Sequence, residues 1–369
     1  MSSSQPYRVI ISGGGTGGHI YPAIAIADAL RRIAPQTEIM FVGAKGRMEM
    51  QKVPEAGYHI EGLWISGLQR RLTLDNLAFP LKVISSVARA TALVKEFKPH
   101  AVVGVGGYAS GPLVFAATRQ GIPGLLQEQN GYAGLTNKLL AKYVKKICVA
   151  YPGMENYFPA NKLVFTGNPV RKDILQAQQL RREGLSFFGF REDLKTLLII
   201  GGSLGARTIN QSILEGLEEL QAQRVQVLWQ TGKVYYDALN ESTKHLQGDR
   251  LRIMPFIKEM PLAYGAADVV VSRAGALSIS ELCLAARPSI LVPSPNVAED
   301  HQTKNALNLV KENAAVLVRD VQAHEALVRE ALALLHDEAR KQELSQHIAR
   351  LGKPNAAENI ANEIISLIA

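Results

Sequence analysis

Arg8-Val9-Ile10-Ile11-Ser12-Gly13-Gly14-Gly15-Thr16-Gly17-Gly18-His19 decides how the rest of the chain is read. Arg8 to Ile11 is a short apolar run of the kind that forms a strand buried on both faces. It leads straight into five glycines within seven residues. Pro22 to Ile33 follows, with Ala23, Ala27, Leu30 and Ile33 at helical spacing. Strand, glycine loop and helix together open a parallel sheet covered by helices. The glycines let the backbone turn tightly and aim N–H groups at an anion, and the helix adds its positive end. A phosphate or a developing oxyanion is therefore expected near this loop. The plainer alternative, a tight turn with no ligand, does not call for five glycines. Gly13-x-Gly15-x-x-Gly18 also satisfies the dinucleotide fingerprint, which wants an acid at the carboxyl end of the second strand. That end reads Val42-Gly43-Ala44, and Glu38 sits at the strand's beginning, so a nicotinamide oxidoreductase is disfavoured.

Outward from this unit the pattern continues. Glu38 to Val42, Ala101 to Gly104, Gly124 to Gln127 and Lys146 to Val149 read as further strands. It then restarts: Lys195 to Ile200 runs into Gly201-Gly202, a helix begins near Thr208, and Val225 to Trp229, Val269 to Ser272 and Ser289 to Val292 follow. The expected fold class is α/β, with two doubly wound, Rossmann-like domains in tandem. Residues 1–167 form the first and 168–350 the second, joined near Gly167-Asn168-Pro169. In residues 351–369, Asn355 and Glu358 mark a helix start with capping-box character, and Ile360, Ile364, Leu367 and Ile368 give an apolar stripe expected to dock back on the first domain.

The bulk properties fit two folded domains. The 369 residues exceed one ordinary core, and the chain is 47% hydrophobic and 20% charged. Cys148 and Cys283 are far apart and form no metal or redox spacing. The beginning, Met1-Ser2-Ser3-Ser4-Gln5-Pro6, lacks the basic start and apolar run of a secretory leader. Ala101 to Thr118 is uncharged, but its glycines and Pro112 mark strand, loop and helix start rather than a span. A net charge of +8 suits phosphate ligands or anionic lipid. No zinc-finger spacing or RNA-binding aromatic signature points to nucleic acid, and none is expected as a partner.

Two further loops share the chemistry of the first: Gly104-Val105-Gly106-Gly107-Tyr108-Ala109-Ser110-Gly111 and Gly201-Gly202-Ser203-Leu204-Gly205-Ala206. With them come Glu128-Gln129-Asn130-Gly131, Gly167-Asn168-Pro169-Val170-Arg171, Ser272-Arg273-Ala274-Gly275-Ala276-Leu277 and Asp300-His301-Gln302. In this order the set resembles the MurG family, the undecaprenyldiphospho-muramoylpentapeptide β-N-acetylglucosaminyltransferases of peptidoglycan synthesis, from residue 8 to about residue 310. The resemblance implies a GT-B fold, two Rossmann-like domains facing a cleft. It implies an inverting transfer of N-acetylglucosamine from UDP-GlcNAc to the 4-hydroxyl of the muramoyl sugar in undecaprenyl-linked lipid I, making lipid II. No cofactor and no metal are implied. Peripheral attachment to the cytoplasmic side of the inner membrane is implied, with its anionic surface and other cell-wall synthesis and division proteins as partners.

Residue by residue, Glu281 matches the acid that accepts from the ribose hydroxyls, apt because a carboxylate takes two O–H donors. Ala276, Leu277, Ser278, Ile279 and Ser280 match the segment along the nucleotide. Ser203 and Arg171 match donor contacts, Ile257 a backbone reader of uracil, and Gln302 a reader of sugar hydroxyls. Thr16, Gly17, Gly18 and Asn130 match donor-side residues contributed by the first domain. Gly106, Gly107, Tyr108 and Asn137 are the matching acceptor contacts. His19 is the candidate base, since an imidazole can accept a proton from an attacking hydroxyl near neutral pH; capping the next helix is its structural alternative. Glu128 is the second candidate acid–base group. His59 and His100 read as ordinary surface or core residues. Two positions depart from the family: Gln127 replaces a histidine and Leu204 a glutamine, removing any role those side chains have there. Leu68 to Leu74 with Arg70 and Arg71, then Leu77, Phe79, Leu81 and Lys82, match an apolar, basic-rimmed patch suited to an anionic membrane interface; an amphipathic core-facing helix is the alternative. The rival function is another GT-B-type UDP-sugar enzyme, an epimerase or a glycolipid transferase. A non-enzymatic basic binding protein is the remaining reading.

Overall fold

The computed structural model describes residues 6–67, 78–202, 204–246, 248–297 and 300–368. The chain divides into two units, one of residues 1–170 with 355–369 and one of residues 171–354.

In the first unit the strands are β1 (Arg8–Ser12), β2 (Glu38–Ala44), β3 (His59–Leu63), β4 (Ala101–Gly104), β5 (Gly124–Glu128), β6 (Lys146–Val149) and β7 (Leu163–Phe165). They form one parallel sheet in the order β3-β2-β1-β4-β5-β6-β7. β1 is an interior strand, and both of its faces are apolar. Val9 and Ile11 pack on one side against Ile20, Ala23 and Ala27 of helix α1 (Gly17–Ile33), while Ile10 packs on the other against Leu93 and Leu113. Ala357, Ile360, Ala361 and Ile364 of the last helix (Ala356–Ile368) join the α1 side. Two ion pairs hold that helix at its rim. Glu358, which its spacing from Asn355 casts as a capping acid, accepts from Arg32 at 2.5 Å, and Lys146 pairs with Glu363.

The second unit repeats the plan with β8 (Thr196–Ile200), β9 (Gln226–Gln230), β10 (Leu251–Met254), β11 (Val269–Ser272), β12 (Ser289–Leu291) and β13 (Val316–Leu317). Their order is β10-β9-β8-β11-β12-β13, all parallel. Trp229 is fully buried in its core, and its indole N–H donates to Asn210 Oδ1 at 3.0 Å. In both sheets the strand order reverses beside the first strand, between β1 and β4 and between β8 and β11. Loops at such a switch point, beyond the carboxyl ends of the strands, are where doubly wound sheets bind ligands. Three of the four loops there are the glycine loops of the sequence, and the fourth is the Arg273–Gly275 turn.

Cys148 and Cys283 are buried, and burial pushes both thiols up to about 12. Among the described residues no helix is long and apolar enough to cross a membrane, and no cluster of three metal-binding side chains occurs.

Candidate functional site

The first unit builds its loops against one another. A Cβ at Gly107 would lie 2.3 Å from the Gly14 oxygen, and one at Gly106 2.5 Å from the His19 ring. Both have positive φ, so glycine is required there twice over. His19 stands in the first turn of α1, which Thr16 precedes, and its Nδ1 faces the Gly14 oxygen at 3.1 Å and Thr16 Oγ1 at 3.4 Å. Tyr108 lies over Gly67, with 48% of its surface exposed.

Glu128 ends β5 and is buried, yet well satisfied. Its Oε1 accepts from the Asn130 N–H at 3.2 Å and from Asn130 Nδ2 at 3.4 Å; its Oε2 accepts from the Gly134 N–H at 3.0 Å and from Asn137 Nδ2 at 2.9 Å. Asn137 is buried and also donates to the Gln127 carbonyl. Glu128 thereby ties the turn that carries Asn130 to the helix that carries Asn137. Beside it Gln127 joins a ladder of amides: it accepts from Gln129 and donates to Asn168 Oδ1 at 3.1 Å, while Asn168 Nδ2 donates to the Gln129 carbonyl at 3.0 Å. The amide at 127 thus locks the end of β5 to the Gly167–Pro169 turn. His100 accepts from the Arg8 N–H at 2.9 Å, and the exposed His59 lies 3.3 Å from Glu61 Oε1.

In the second unit the helix Ala276–Ala285 starts after Gly275, so Ala276, Leu277 and Ser278 form its first turn and Glu281 lies one turn further on. Tyr264, buried, donates to Glu281 Oε2 at 3.1 Å. Burial pushes the Glu281 carboxyl up, against the pull of the nearby Arg171 guanidinium and the Tyr264 hydroxyl. Burial and the Glu281 charge hold the Tyr264 phenol well above its ordinary range. Arg171 also pairs with Asp173 at 3.7 Å. Gln230 links the two ends of the candidate nucleotide site: its Oε1 accepts from the Ile257 N–H at 2.8 Å and its Nε2 donates to the Gly202 oxygen at 3.1 Å. The Ile257 N–H is therefore engaged, and a uracil would have to share or displace Gln230 to read it. Gln302 Oε1 accepts from the Ser294 N–H at 2.9 Å, bracing the β12 end. Ser203 lies outside the described residues, and Leu204 beside it is exposed.

Three residues were not singled out by the sequence reading. Tyr264 and Gln230 are partners of residues that were. The third, Glu49, is fully buried beneath the first glycine loop and accepts from the Gly15 and Ala44 N–H groups. No sequence signal marks that contact: Glu49 comes a few residues after Val42-Gly43-Ala44 and is turned under the loop rather than outward to a ribose.

One expectation is corrected. Lys82 is not on a basic rim: it is 8% exposed, its ammonium donates to Ser66 Oγ at 3.1 Å and it lies 5.9 Å from the Trp64 ring. Its long stem can lie along apolar surface while the charge reaches polar groups. Leu81, Ile84 and Trp64 are exposed around it. Leu68, Arg70, Arg71, Leu72, Leu74 and Leu77 lie outside the described residues.

Comparison with known proteins places this geometry. Residues 9–149 match the glycosyltransferase family 28 N-terminal domain and residues 196–360 its C-terminal domain. The chain is 56% identical, over 100% of its length and 99% of the relative's, to the UDP-N-acetylglucosamine–N-acetylmuramyl-(pentapeptide) pyrophosphoryl-undecaprenol N-acetylglucosamine transferase of Cytophaga hutchinsonii. It is 54% identical to the enzyme of the same name from Parabacteroides distasonis, over 99% of each. The solved structure of MurG from Acinetobacter baumannii superposes with a TM-score of 0.78 at 29% identity, covering 98% of this chain and 100% of that one. A UDP-GlcNAc 2-epimerase from Neisseria meningitidis shares the fold alone, with a TM-score of 0.66 at 13% identity, covering 98% of this chain and 100% of that one. With both family domains in order and full-length relatives at such identity, this GT-B chain belongs to the MurG enzymes of glycosyltransferase family 28.

Proposed function

We infer that the chain transfers N-acetylglucosamine from UDP-GlcNAc to the muramoyl 4-hydroxyl of lipid I, with inversion at the anomeric carbon. The name borne by its full-length relatives carries this reading, and the two sets of site residues supply its chemistry. In the second unit Glu281 accepts from the ribose hydroxyls, Ala276 to Ser280 lie along the nucleotide, and the helix start with Arg171 faces the diphosphate. Ile257 meets the uracil, Gln302 the sugar hydroxyls, and Ser203 the phosphates. In the first unit Thr16, Gly17, Gly18 and Asn130 approach the transferred sugar, and Gly106, Gly107 and Tyr108 the acceptor.

The attacking hydroxyl must lose its proton as the new bond forms. We give that proton to His19. Glu128 accepts four N–H bonds in a buried setting, and a carboxylate so satisfied is better suited to hold Asn130 and Asn137 in place than to take a proton. The exposed Leu81, Ile84 and Trp64 of the first unit suit a lipid interface, which would bring the enzyme to the cytoplasmic face of the membrane. The test is direct: purified protein with UDP-GlcNAc and a lipid I analogue forms the β1,4-linked disaccharide and UDP. Conversion of UDP-GlcNAc to UDP-N-acetylmannosamine, with no disaccharide formed, would favour the epimerase reading.

A further inference from the structure

Glu49 has no place in the reaction so far described, yet it is wired to His19. It lies in the first turn of helix α2 (Glu49–Glu55) and is fully buried. Its Oε1 accepts from the Ala44 N–H at 3.0 Å and its Oε2 from the Gly15 N–H at 2.9 Å. The Gly15 nitrogen and the Gly14 oxygen belong to one peptide group. That oxygen in turn lies 3.1 Å from His19 Nδ1. Carboxylate, peptide and imidazole form a chain of two hydrogen bonds.

The chemistry of the chain has a direction. A carbonyl oxygen only accepts, so the last contact requires the proton on Nδ1 and leaves the lone pair on Nε2. A carboxylate on the N–H side of an amide draws negative charge onto the carbonyl oxygen, and each bond strengthens the next. The packing serves this arrangement. A Cβ at Gly14 would stand 2.2 Å from Glu49 Oε1, and one at Gly43 2.6 Å from Glu49 Cγ. Both positions are bare where the carboxylate passes under the loop. A buried carboxylate is costly without donors, and here the donors are the loop and the end of β2.

We propose that Glu49 is a positioning residue for His19: through the Gly14–Gly15 peptide it holds the Nδ1–H tautomer and supports the imidazolium that forms during transfer. This rests on the reading of His19 as the base. In the step itself the hydroxyl proton passes to His19 Nε2 and the sugar oxygen bonds to the anomeric carbon. The bond from that carbon to the diphosphate oxygen breaks, and UDP leaves with the electron pair. Glu49 gains and loses no proton.

The experiment uses the full-length chain with ¹⁵N-labelled histidine. Two-bond ¹H–¹⁵N spectra of the parent should show His19 as the Nδ1–H tautomer; the Nε2–H form there overturns the proposal without any variant. Glu49→Gln should lower kcat by about 10–100-fold, leave donor KM within about twofold, and populate the Nε2–H form. Adding Glu49→Gln to His19→Ala should slow the enzyme no further, because the two act as one unit; an added loss in the double variant means that Glu49 only supports the fold, and sinks the proposal. If His19→Ala is slow while Glu49→Gln changes neither kcat nor tautomer, the base reading stands and this one falls. If His19→Ala keeps most of its kcat, both fall. Should Glu49→Gln fail to fold, Glu49→Asp, which keeps the charge but shortens its reach to the Gly15 N–H, takes its place: it should likewise lower kcat and populate the Nε2–H form, and a parental kcat and tautomer in it overturn the proposal.

Discussion

The two units open alike, with a strand, a glycine loop and a helix, but their loops are braced in opposite ways. The first rests on a carboxylate, Glu49, which takes the Gly15 N–H. The second rests on backbone. A Cβ at Gly205 would lie 2.0 Å from the Thr231 oxygen, and one at Gly232 2.3 Å from the Gly205 nitrogen. Its bonds are neutral: the Gly205 N–H and Gln230 Nε2 both donate to the Gly202 oxygen, each at 3.1 Å. Negative charge already fixed beneath a loop opposes more of it above, whereas a neutral loop beside a helix start welcomes it. Glycine richness alone therefore does not say what a loop holds. This contrast supports the proposed assignment of the proton to the first unit and the diphosphate to the second.

The assignment breaks first on His19. His19→Ala should lower kcat by about 10²–10⁴-fold and leave UDP affinity, measured by calorimetry, nearly unchanged. A loss of UDP affinity instead would return the first loop to phosphate binding. Next is Glu281→Ala, which removes a charge-assisted acceptor of roughly 1.5–3 kcal/mol and should raise donor KM by about 10–150-fold at little cost in kcat. An unchanged donor KM would take the ribose out of the second unit's site.

Gly205→Ala tests the backbone bracing. Its positive φ and the contact with Thr231 should cost roughly 1–3 kcal/mol, seen as a lower Tm and weaker UDP binding together. A variant as stable as the parent would show that the loop has room to shift. The smallest effect belongs to Tyr264→Phe. Burial raises the Glu281 carboxyl and the Tyr264 hydroxyl opposes that rise. On the proposed role of Glu281 the ribose hydroxyls meet the ionised form, so donor KM should worsen as pH falls. Without the hydroxyl, Glu281 protonates at higher pH, and the worsening should begin at higher pH too. Near neutrality the loss of one hydrogen bond of about 0.5–1.5 kcal/mol amounts to a few-fold in KM. Donor KM profiles that superimpose would detach Tyr264 from the nucleotide.

What was legible in the sequence follows from burial. The strands readable as apolar runs, such as β1, β4, β8 and β11, are the interior ones, covered on both faces. Those that escaped, β3, β7, β10 and β13, are the four sheet edges. Their residues are largely half-exposed, as in His59–Leu63 and Leu163–Phe165, so no continuous run marks them. The glycine loops were legible because their backbone shape demands glycine. Glu49 was not, because its meaning lies in a contact 34 residues away. Lys82 misled for a related reason: a basic residue among apolar ones reads as a rim until its ammonium is seen to reach Ser66.

The return of the chain to the first unit at Asn355 has a consequence for the order of events at the ribosome. The face of α1 that Ile360 and Ile364 cover is synthesised early and receives its cover last. At about 5–20 residues per second, the intervening unit delays that cover by roughly 10–40 s. During that interval the nascent first unit presents an uncovered apolar helix face, a ready target for a chaperone that holds extended or half-folded chains. The second unit, contiguous from Arg171 to Pro354, has all its parts in hand before the first is complete.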